Sequence, residues 1–143
     1  MLDLDMEKSL QDLLIKLAGQ GLLQSATDLS DGLAVAAAQA SFKRGIGVSI
    51  DCVIGWPWPG DYFDMFFEES TGVLISYRPE HENAILAMIK DHGLRCDPGG
   101  KTIPDRVQIA YDGGFEVDAS IVELKSAWSN ALQSTLSVDT VTA

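Results

Sequence analysis

The strongest constraint on the fold is an alanine-rich segment that lies between two apolar segments with strand character. Residues 31–45, "DGLAVAAAQASFKRG", predict a helix. The positive charges of Lys43 and Arg44 lie in its last turn, where they stabilise the negative end of the helix dipole. The flanking segments "LLQSATDLS" and "GVSIDCVI" predict strands. An alanine-covered face lets a helix approach its neighbours closely, so we expect this helix to lie against a sheet.

Amphipathic and alternating segments elsewhere complete a pattern of four helices and five strands. The predicted helices cover residues 6–18, 31–43, 80–91 and 121–132. The predicted strands cover residues 25–29, 47–52, 72–77, 106–111 and 115–119. "DPGGK" at 97–101 predicts a turn, because it lacks the spacing and the following Ser or Thr of a phosphate-binding P-loop. Because the elements alternate irregularly and the last two strands form a hairpin, we expect an α+β fold, with helices packed on one mixed or antiparallel sheet.

The 143 residues suit one domain, 1–143, with a core at about 6–133 and a frayed tail at 134–143. Hydrophobic residues make up 46 % of the chain, which is enough for a packed core. No apolar run approaches the roughly 20 residues of a membrane span. The acidic N-terminus does not resemble a signal peptide, so we expect a cytoplasmic protein with no membrane partner.

Charge and cysteine usage exclude two further classes of partner. The formal net charge is −11, so a polyanion is repelled at long range and nucleic acid is not an expected partner. Cys52 and Cys96 form no CxxC pair, and His81 and His92 are too scattered to complete a zinc site. We therefore expect two reduced thiols.

The junction between the first strand and the alanine-rich helix contains the candidate site, "DLSDG" at residues 28–32. Backbone N–H groups at a helix N-terminus favour an anion. Asp28 and Asp31 would repel a bare phosphate, but a Mg²⁺ could join both carboxylates to it. Gly32 would let the backbone approach that phosphate closely. In the alternative interpretation, Ser30 or Asp31 only caps the helix.

The segment "GWPWPGDYFDMFFEES" interrupts the pattern, because its prolines exclude a central strand and predict a loop with a short helical turn. We expect Trp56 and Trp58 to fold back onto the core. Glu69 and Ser70 either hold the ligating residues of the candidate site in position without binding the ion themselves, or lie on a solvent-exposed face. The sequence contains no Ser/His/Asp or Cys/His set, so it predicts no catalytic residue.

Three motifs in order resemble the C-terminal domain of the aminoimidazole ribonucleotide synthase superfamily, and within it the phosphoribosylformylglycinamidine synthase family. "SATDLSDGLAVAAAQA" is similar to the family pattern S-A-H-D-x-S-D-G-G-L-A-V-A-L-A-E. "FFEESTGVLISYRPEH" and "FEVDASIVELKSAWSNAL" resemble the segments that follow it. The likeness covers most of residues 9–133 and implies helices on one side of a mixed sheet.

Three positions depart from the family pattern. Thr27 stands where the family usually has histidine, Leu33 where it has a second glycine, and Val73 where an arginine is common. The single-glycine form "DLSDGL" also resembles thiamine-monophosphate kinase, a relative in the same superfamily. The resemblance to that kinase implies that the two acids of the motif bind magnesium and that Ser30 contacts the nucleotide.

The resemblance implies a full enzyme that uses ATP and Mg²⁺ to amidate formylglycinamide ribonucleotide with glutamine-derived ammonia in purine biosynthesis. The implied partners are an N-terminal ATP-binding synthase domain and a glutamine amidotransferase subunit. Because phosphoryl transfer needs nucleotide, metal and acceptor together, we expect the chain to be inactive alone. The alternatives are the C-terminal half of a thiamine-monophosphate-kinase-like enzyme and a stand-alone binding module of the same fold.

Overall fold

The computed structural model describes residues 3–52, 72–111 and 114–139, which form four α-helices, six strands and a 3₁₀ turn at Pro79–His81. The helices are α1 (Leu4–Gly19), α2 (Leu33–Phe42), α3 (Glu82–Asp91) and α4 (Ile121–Asp139). The strands are β1 (Ser25–Asp28), β2 (Ile46–Cys52), β3 (Val73–Ser76), β4 (Gly100–Pro104), β5 (Arg106–Tyr111) and β6 (Gly114–Ser120). Among these helices, none is both long and apolar enough to cross a membrane.

The strands form two sheets. The larger sheet has the order β4-β2-β5-β6, in which β2 and β5 are parallel and the outer pairs are antiparallel. The smaller sheet pairs β1 with β3 antiparallel, from Ser25 opposite Ser76 to Asp28 opposite Val73. The expected α+β fold with a mixed sheet is therefore confirmed, and so is the hairpin of β5 and β6.

Two predictions about the sheet are wrong. The five predicted strands do not share one sheet, because among the described strands β1 and β3 pair with each other and with no other strand. Residues 97–101 do not end in a turn, because Gly100 and Lys101 begin β4. β4 is an edge strand of the larger sheet whose residues are mostly exposed, and an edge position tolerates the glycine and the proline at its two ends.

The hydrophobic core consists of two clusters. The sheet cluster lies between α2, α4 and the larger sheet, and its buried members are Ala34, Ala37, Ile50, Cys52, Val107, Ile109 and Ile121. The helix cluster lies between α1 and α3, and its buried members are Leu13, Leu17, Ile85 and Ile89. β3 packs against both clusters, because adjacent side chains of a strand point to opposite faces: Leu74 contacts the sheet cluster and Ile75 the helix cluster.

The last helix begins as predicted and ends later than predicted. The Ser120 N–H donates to Glu123 Oε2 at 2.9 Å and the Glu123 N–H donates to Ser120 Oγ at 3.1 Å, which confirms the capping box. Residues 134–139, expected to fray, continue α4 to Asp139, and residues 140–143 lie outside the described ranges. The helix therefore continues past residue 132, its predicted end.

Candidate functional site

Asp28 is the last residue of β1 and holds the turn that follows it. Its Oδ1 accepts the Ser30 N–H at 3.1 Å, which is the side-chain-to-backbone turn typical of aspartate. The Leu29 N–H donates to the carbonyl of Gly72 at 3.0 Å, so the backbone after β1 remains attached to the chain entering β3. The expected position of Asp28 at the strand end is confirmed, and its carboxylate has a structural role that the sequence did not indicate.

Gly32, and not Ser30 or Asp31, is the N-cap of α2. Its φ of 87° and ψ of 167° lie in a region that is essentially restricted to glycine. The Gly32 carbonyl accepts the Ala36 N–H at 3.1 Å, which is the first bond of the helix. No described side chain caps this helix, so the predicted capping by Ser30 or Asp31 is wrong. Among the described residues, the backbone N–H groups in the first turn of α2 therefore have no side-chain acceptor.

Asp28 and Asp31 both precede the N-cap Gly32, and both residues are exposed. Within the described ranges, no three His, Cys, Asp or Glu side chains come together as a metal site. A Mg²⁺ ion keeps several waters and commonly takes only one or two carboxylates together with substrate phosphate oxygens. Asp28 and Asp31 therefore supply the carboxylate donors that a Mg²⁺ ion shared with a phosphate would need, and among the described residues no third acid completes a closed metal site with them.

Two of the three departures from the family pattern lie in the β1–β3 ladder beside this turn. Val73 is directly opposite Asp28, and Thr27 is opposite Leu74. Directly opposite residues in an antiparallel pair are close neighbours on the same face. An arginine at position 73 would face Asp28, whereas Val73 supplies no positive charge there.

A groove of about 1120 Å³ lies between α1, β3 and the edge of the larger sheet. Its walls are mostly apolar, with Leu14 on one side and Val48 on the other, and Leu29 and Leu33 line it next to the candidate turn. Apolar walls suit hydrocarbon or aromatic surface better than a charged ligand. A phosphate is therefore expected at the N-terminus of α2 rather than along these walls.

Tyr77 and Cys96 lie along the same groove and have raised pKa values. Burial is the main cause for Tyr77, and its hydroxyl donates to Glu82 Oε2 at 3.1 Å, which together raise its pKa to about 12. Burial, with Asp97 and Glu82 nearby, also raises the pKa of the Cys96 thiol. Both groups are neutral at pH 7, so they add no negative charge to the acidic chain.

Cys52 lies in the sheet cluster, where burial and Asp51 raise the pKa of its thiol to about 11. Cys52 and Cys96 are both free, which confirms the expectation of two reduced thiols. A thiol that stays protonated is a poor nucleophile. The geometry therefore gives neither cysteine a catalytic role at neutral pH.

Four residues singled out from the sequence lie outside the described ranges: Trp56, Trp58, Glu69 and Ser70. The candidate site is therefore defined by residues 28–32 and by the backbone at Gly72. Sequence reasoning missed the contribution of Gly72, because a backbone carbonyl leaves no signal in residue type. The glycine at position 32 was a usable signal for the cap, since glycine also occurs at N-caps.

Comparison with known proteins agrees with this architecture. Among solved structures, the fold matches "Structure of PurLQS from Thermotoga maritima" with a TM-score of 0.74 and 19 % identity, over 85 % of this chain and 22 % of that one. It matches "T. maritima PurL complexed with ADP" with the same TM-score and identity, over 87 % of this chain and 22 % of that one. At this identity the match shows the fold alone.

Relatives with higher identity are phosphoribosylformylglycinamidine synthase subunits PurL. The subunit from Thermobifida fusca is 35 % identical over 133 residues, which are 92 % of this chain and 16 % of the relative. The subunit from Alkaliphilus metalliredigens is 32 % identical over 133 residues, again 92 % of this chain and 18 % of the relative. The chain thus spans less than a fifth of the length of these relatives.

A family model for "AIR synthase related protein, C-terminal domain" matches residues 1–112, which include β1, the candidate turn and α2. This match covers well over half of the chain, and it agrees with the relatives and with the fold. The chain therefore belongs to the family of AIR synthase related proteins, as their C-terminal domain.

Proposed function

We propose that this chain is the C-terminal domain of an ATP-dependent phosphoribosylformylglycinamidine synthase of purine biosynthesis. The observation that carries the proposal is the N-terminus of α2, which no described side chain caps, directly after a segment with two exposed acids, in a chain that aligns with PurL subunits over 92 % of its length. Because the chain spans only 16–18 % of those relatives, most of a synthase lies outside it. We infer that the chain alone does not turn over ATP.

In this proposal, the N–H groups in the first turn of α2 hold a phosphate oxygen of ATP or of the nucleotide substrate. Gly32 has no side chain to obstruct that approach, and Ser30 is exposed next to it and able to donate its hydroxyl. Asp28 and Asp31 would hold Mg²⁺, which when bound supplies positive charge that offsets the phosphate. Asp28 also fixes the turn, so its binding and structural roles share one side chain.

The proposed partners supply what this chain lacks. An N-terminal synthase domain supplies the main ATP site, and a glutamine amidotransferase subunit supplies ammonia, in the cytoplasm. Solved structures of T. maritima PurL include complexes with ATP, ADP and FGAR, which supports nucleotide and substrate binding by a complete enzyme of this kind. The thiamine-phosphate kinase alternative has no comparable support among these relatives.

The experiment combines the chain with the ATP-binding portion of the same organism's synthase and measures ATP-dependent amidation of formylglycinamide ribonucleotide with ammonia. Asp28→Asn is the informative variant, because asparagine keeps an oxygen that accepts the Ser30 N–H while it removes the charge. We expect Asp28→Asn to unfold at the wild-type urea concentration and to weaken Mg²⁺-dependent ATP binding at least tenfold. Asp91→Asn, an exposed acid at the end of α3, is the matched control and should change neither.

Two outcomes contradict the proposal. If the wild-type chain and the ATP-binding portion form a complex without amidating the substrate, the assigned reaction is wrong. If Asp28→Asn unfolds early while the combined enzyme binds nucleotide normally, the turn has only a structural role. ATP turnover by the purified chain alone, free of contaminating enzyme, would disprove the inference that it is inactive alone.

A further inference from the structure

Asp31 and Gly32 form one of the two Asp–Gly pairs of the chain, and the other, Asp112–Gly113, lies outside the described ranges. Such a pair is chemically labile, because glycine has no side chain to shield its backbone nitrogen from the carboxyl group before it. Asp31 is exposed, so water reaches its side chain. The pair therefore has a reaction of its own, separate from any ligand that the candidate turn binds.

This reaction rearranges the backbone and needs no co-reactant except water. The Gly32 nitrogen attacks Cγ of Asp31, and one water molecule leaves, formed from the carboxyl hydroxyl and the amide proton. The product is a succinimide ring, in which this nitrogen is bonded both to Cγ and to the main-chain carbonyl carbon of Asp31. Water then adds to that carbonyl carbon and breaks its bond to the nitrogen. The released main-chain carboxylate becomes a side group, and the backbone runs through Cγ as isoaspartate.

The closed turn withholds the nitrogen that the reaction needs. The Gly32 N–H donates to the carbonyl of Leu29 at 3.0 Å, and Gly32 is buried although Asp31 is exposed. Within the same turn, the Ser30 N–H donates to Asp28 Oδ1 at 3.1 Å. Ring closure requires the peptide between Asp31 and Gly32 to rotate towards the Asp31 side chain, which breaks the bond to Leu29. The rate of the reaction therefore depends on how often the turn opens.

Asp28 shares the turn with Asp31 but does not share this reactivity. The residue after Asp28 is Leu29, whose side chain shields the backbone nitrogen that would have to attack. The Leu29 N–H also donates to the carbonyl of Gly72 at 3.0 Å, which holds this nitrogen in the ladder between β1 and β3. Asp28 is therefore an internal reference for the reaction at Asp31.

We propose that Asp31 is a modification site, which converts to isoaspartate when the candidate turn opens and is protected while the hydrogen bonds of the turn are closed. The product has one additional backbone carbon directly before Gly32, the N-cap of α2, so it changes the spacing on which the bond from the Gly32 N–H to Leu29 depends. The inference does not rest on the proposed function, because it needs only the turn and water.

The test measures isoaspartate at position 31 during incubation of the 143-residue chain at neutral pH, with a peptide of residues 25–36 as the unfolded reference. An aspartate-directed protease detects the product by peptide mapping, because it cleaves before aspartate and not before isoaspartate. We expect conversion at Asp31 in both samples, at least about tenfold more slowly in the folded chain, where the turn must first open. Asp28 should convert in neither sample.

Two variants of the chain test the protection by the turn. Asp28→Ala removes the acceptor of the Ser30 N–H and should speed the conversion of Asp31 about two- to tenfold, which is the effect of one hydrogen bond on the opening of the turn. Asp28→Asn is the matched control, because asparagine keeps an oxygen that accepts the same N–H. It should convert at the wild-type rate.

Three results overturn the inference: equal rates in the chain and the peptide, no isoaspartate at position 31 of the chain after the peptide has converted completely, and equal rates in Asp28→Ala and Asp28→Asn. If Asp28→Ala unfolds at a lower urea concentration than the wild type, the wild-type chain decides the question. In urea below its unfolding transition, conversion at Asp31 should rise in proportion to hydrogen exchange of the Gly32 amide. A conversion rate that does not follow this exchange refutes the protection by the turn.

Discussion

Replacing Gly47 with alanine should disrupt the contact between β2 and β5. Gly47 lies buried near the start of β2, close to Arg106 at the start of β5. An added Cβ would lie 2.7 Å from the carbonyl carbon and 2.8 Å from the amide nitrogen of Arg106, and closer still to its carbonyl oxygen. These are backbone atoms, so no side-chain rotation can relieve the overlap. The strands themselves must separate.

The separation lowers the free energy of unfolding in two ways, through overpacking at Gly47 and through weaker hydrogen bonds between β2 and β5. Overpacking a core position costs about 1–3 kcal/mol. Moving β5 away from β2 also weakens the neighbouring backbone hydrogen bonds around the pair Val48–Val107, each of which contributes about 0.5–1.5 kcal/mol. We therefore expect Gly47→Ala to lower the free energy of unfolding by about 3 kcal/mol, a large share of the roughly 5–15 kcal/mol of a typical domain.

Urea unfolding followed by far-ultraviolet circular dichroism measures this loss. Gly19→Ala is the matched control, because a Cβ at the end of α1 meets no atom within 4 Å and alanine favours a helix. We expect that variant to be unchanged or stabilised by up to about 1 kcal/mol. A loss below about 1 kcal/mol for Gly47→Ala would show that the two strands are not as close as the structure has them.

Three further predictions concern caps and protonation. Ser120→Ala removes the acceptor for the Glu123 N–H and should cost about 0.5–2 kcal/mol in urea unfolding; an unchanged midpoint would mean that the capping box contributes nothing. Tyr77 has a pKa of about 12 against an ordinary value of 10.0, so its neutral form contributes stability that is present below pH 10 and lost as pH rises towards 12; Tyr77→Phe should unfold with a weaker dependence on pH in that window. Cys52, with a pKa of about 11, should react with iodoacetamide at pH 8 far more slowly in the native chain than in urea, and equal rates would contradict its burial.

Periodic segments of the sequence were sufficient to predict the helices. Leu13 and Leu17 in α1 and Ile85 and Ile89 in α3 are buried as their spacing predicts. The strand partners were not predictable, because pairing between distant segments depends on packing that no local pattern encodes. β4 was missed for this reason, since β2 and not its own residues makes it a strand.

The sequence predicted where the candidate site lies in the chain, but not the hydrogen bond or the helix cap that form it. The sequence placed Asp28 at the end of a strand and Gly32 at the start of a helix, and both positions are confirmed. It did not show that Asp28 bonds the Ser30 N–H, or that the cap is Gly32, because both depend on backbone angles in the turn. Whether these residues bind Mg²⁺ and a phosphate stays a prediction.

The division of the core into two clusters has a consequence for hydrogen exchange. β3 contacts both clusters through neighbouring side chains, Leu74 and Ile75, and therefore couples them within the described part of the chain. We expect native-state exchange to resolve two opening events, because groups of elements that share few buried contacts open separately. Amides of α1 and α3 should exchange through the opening of lower free energy, and those of β2 and β5 through global unfolding. Ile75→Ala should lower both opening energies, because global unfolding also breaks the contacts of Ile75, whereas Ile109→Ala in the sheet cluster should lower only the second.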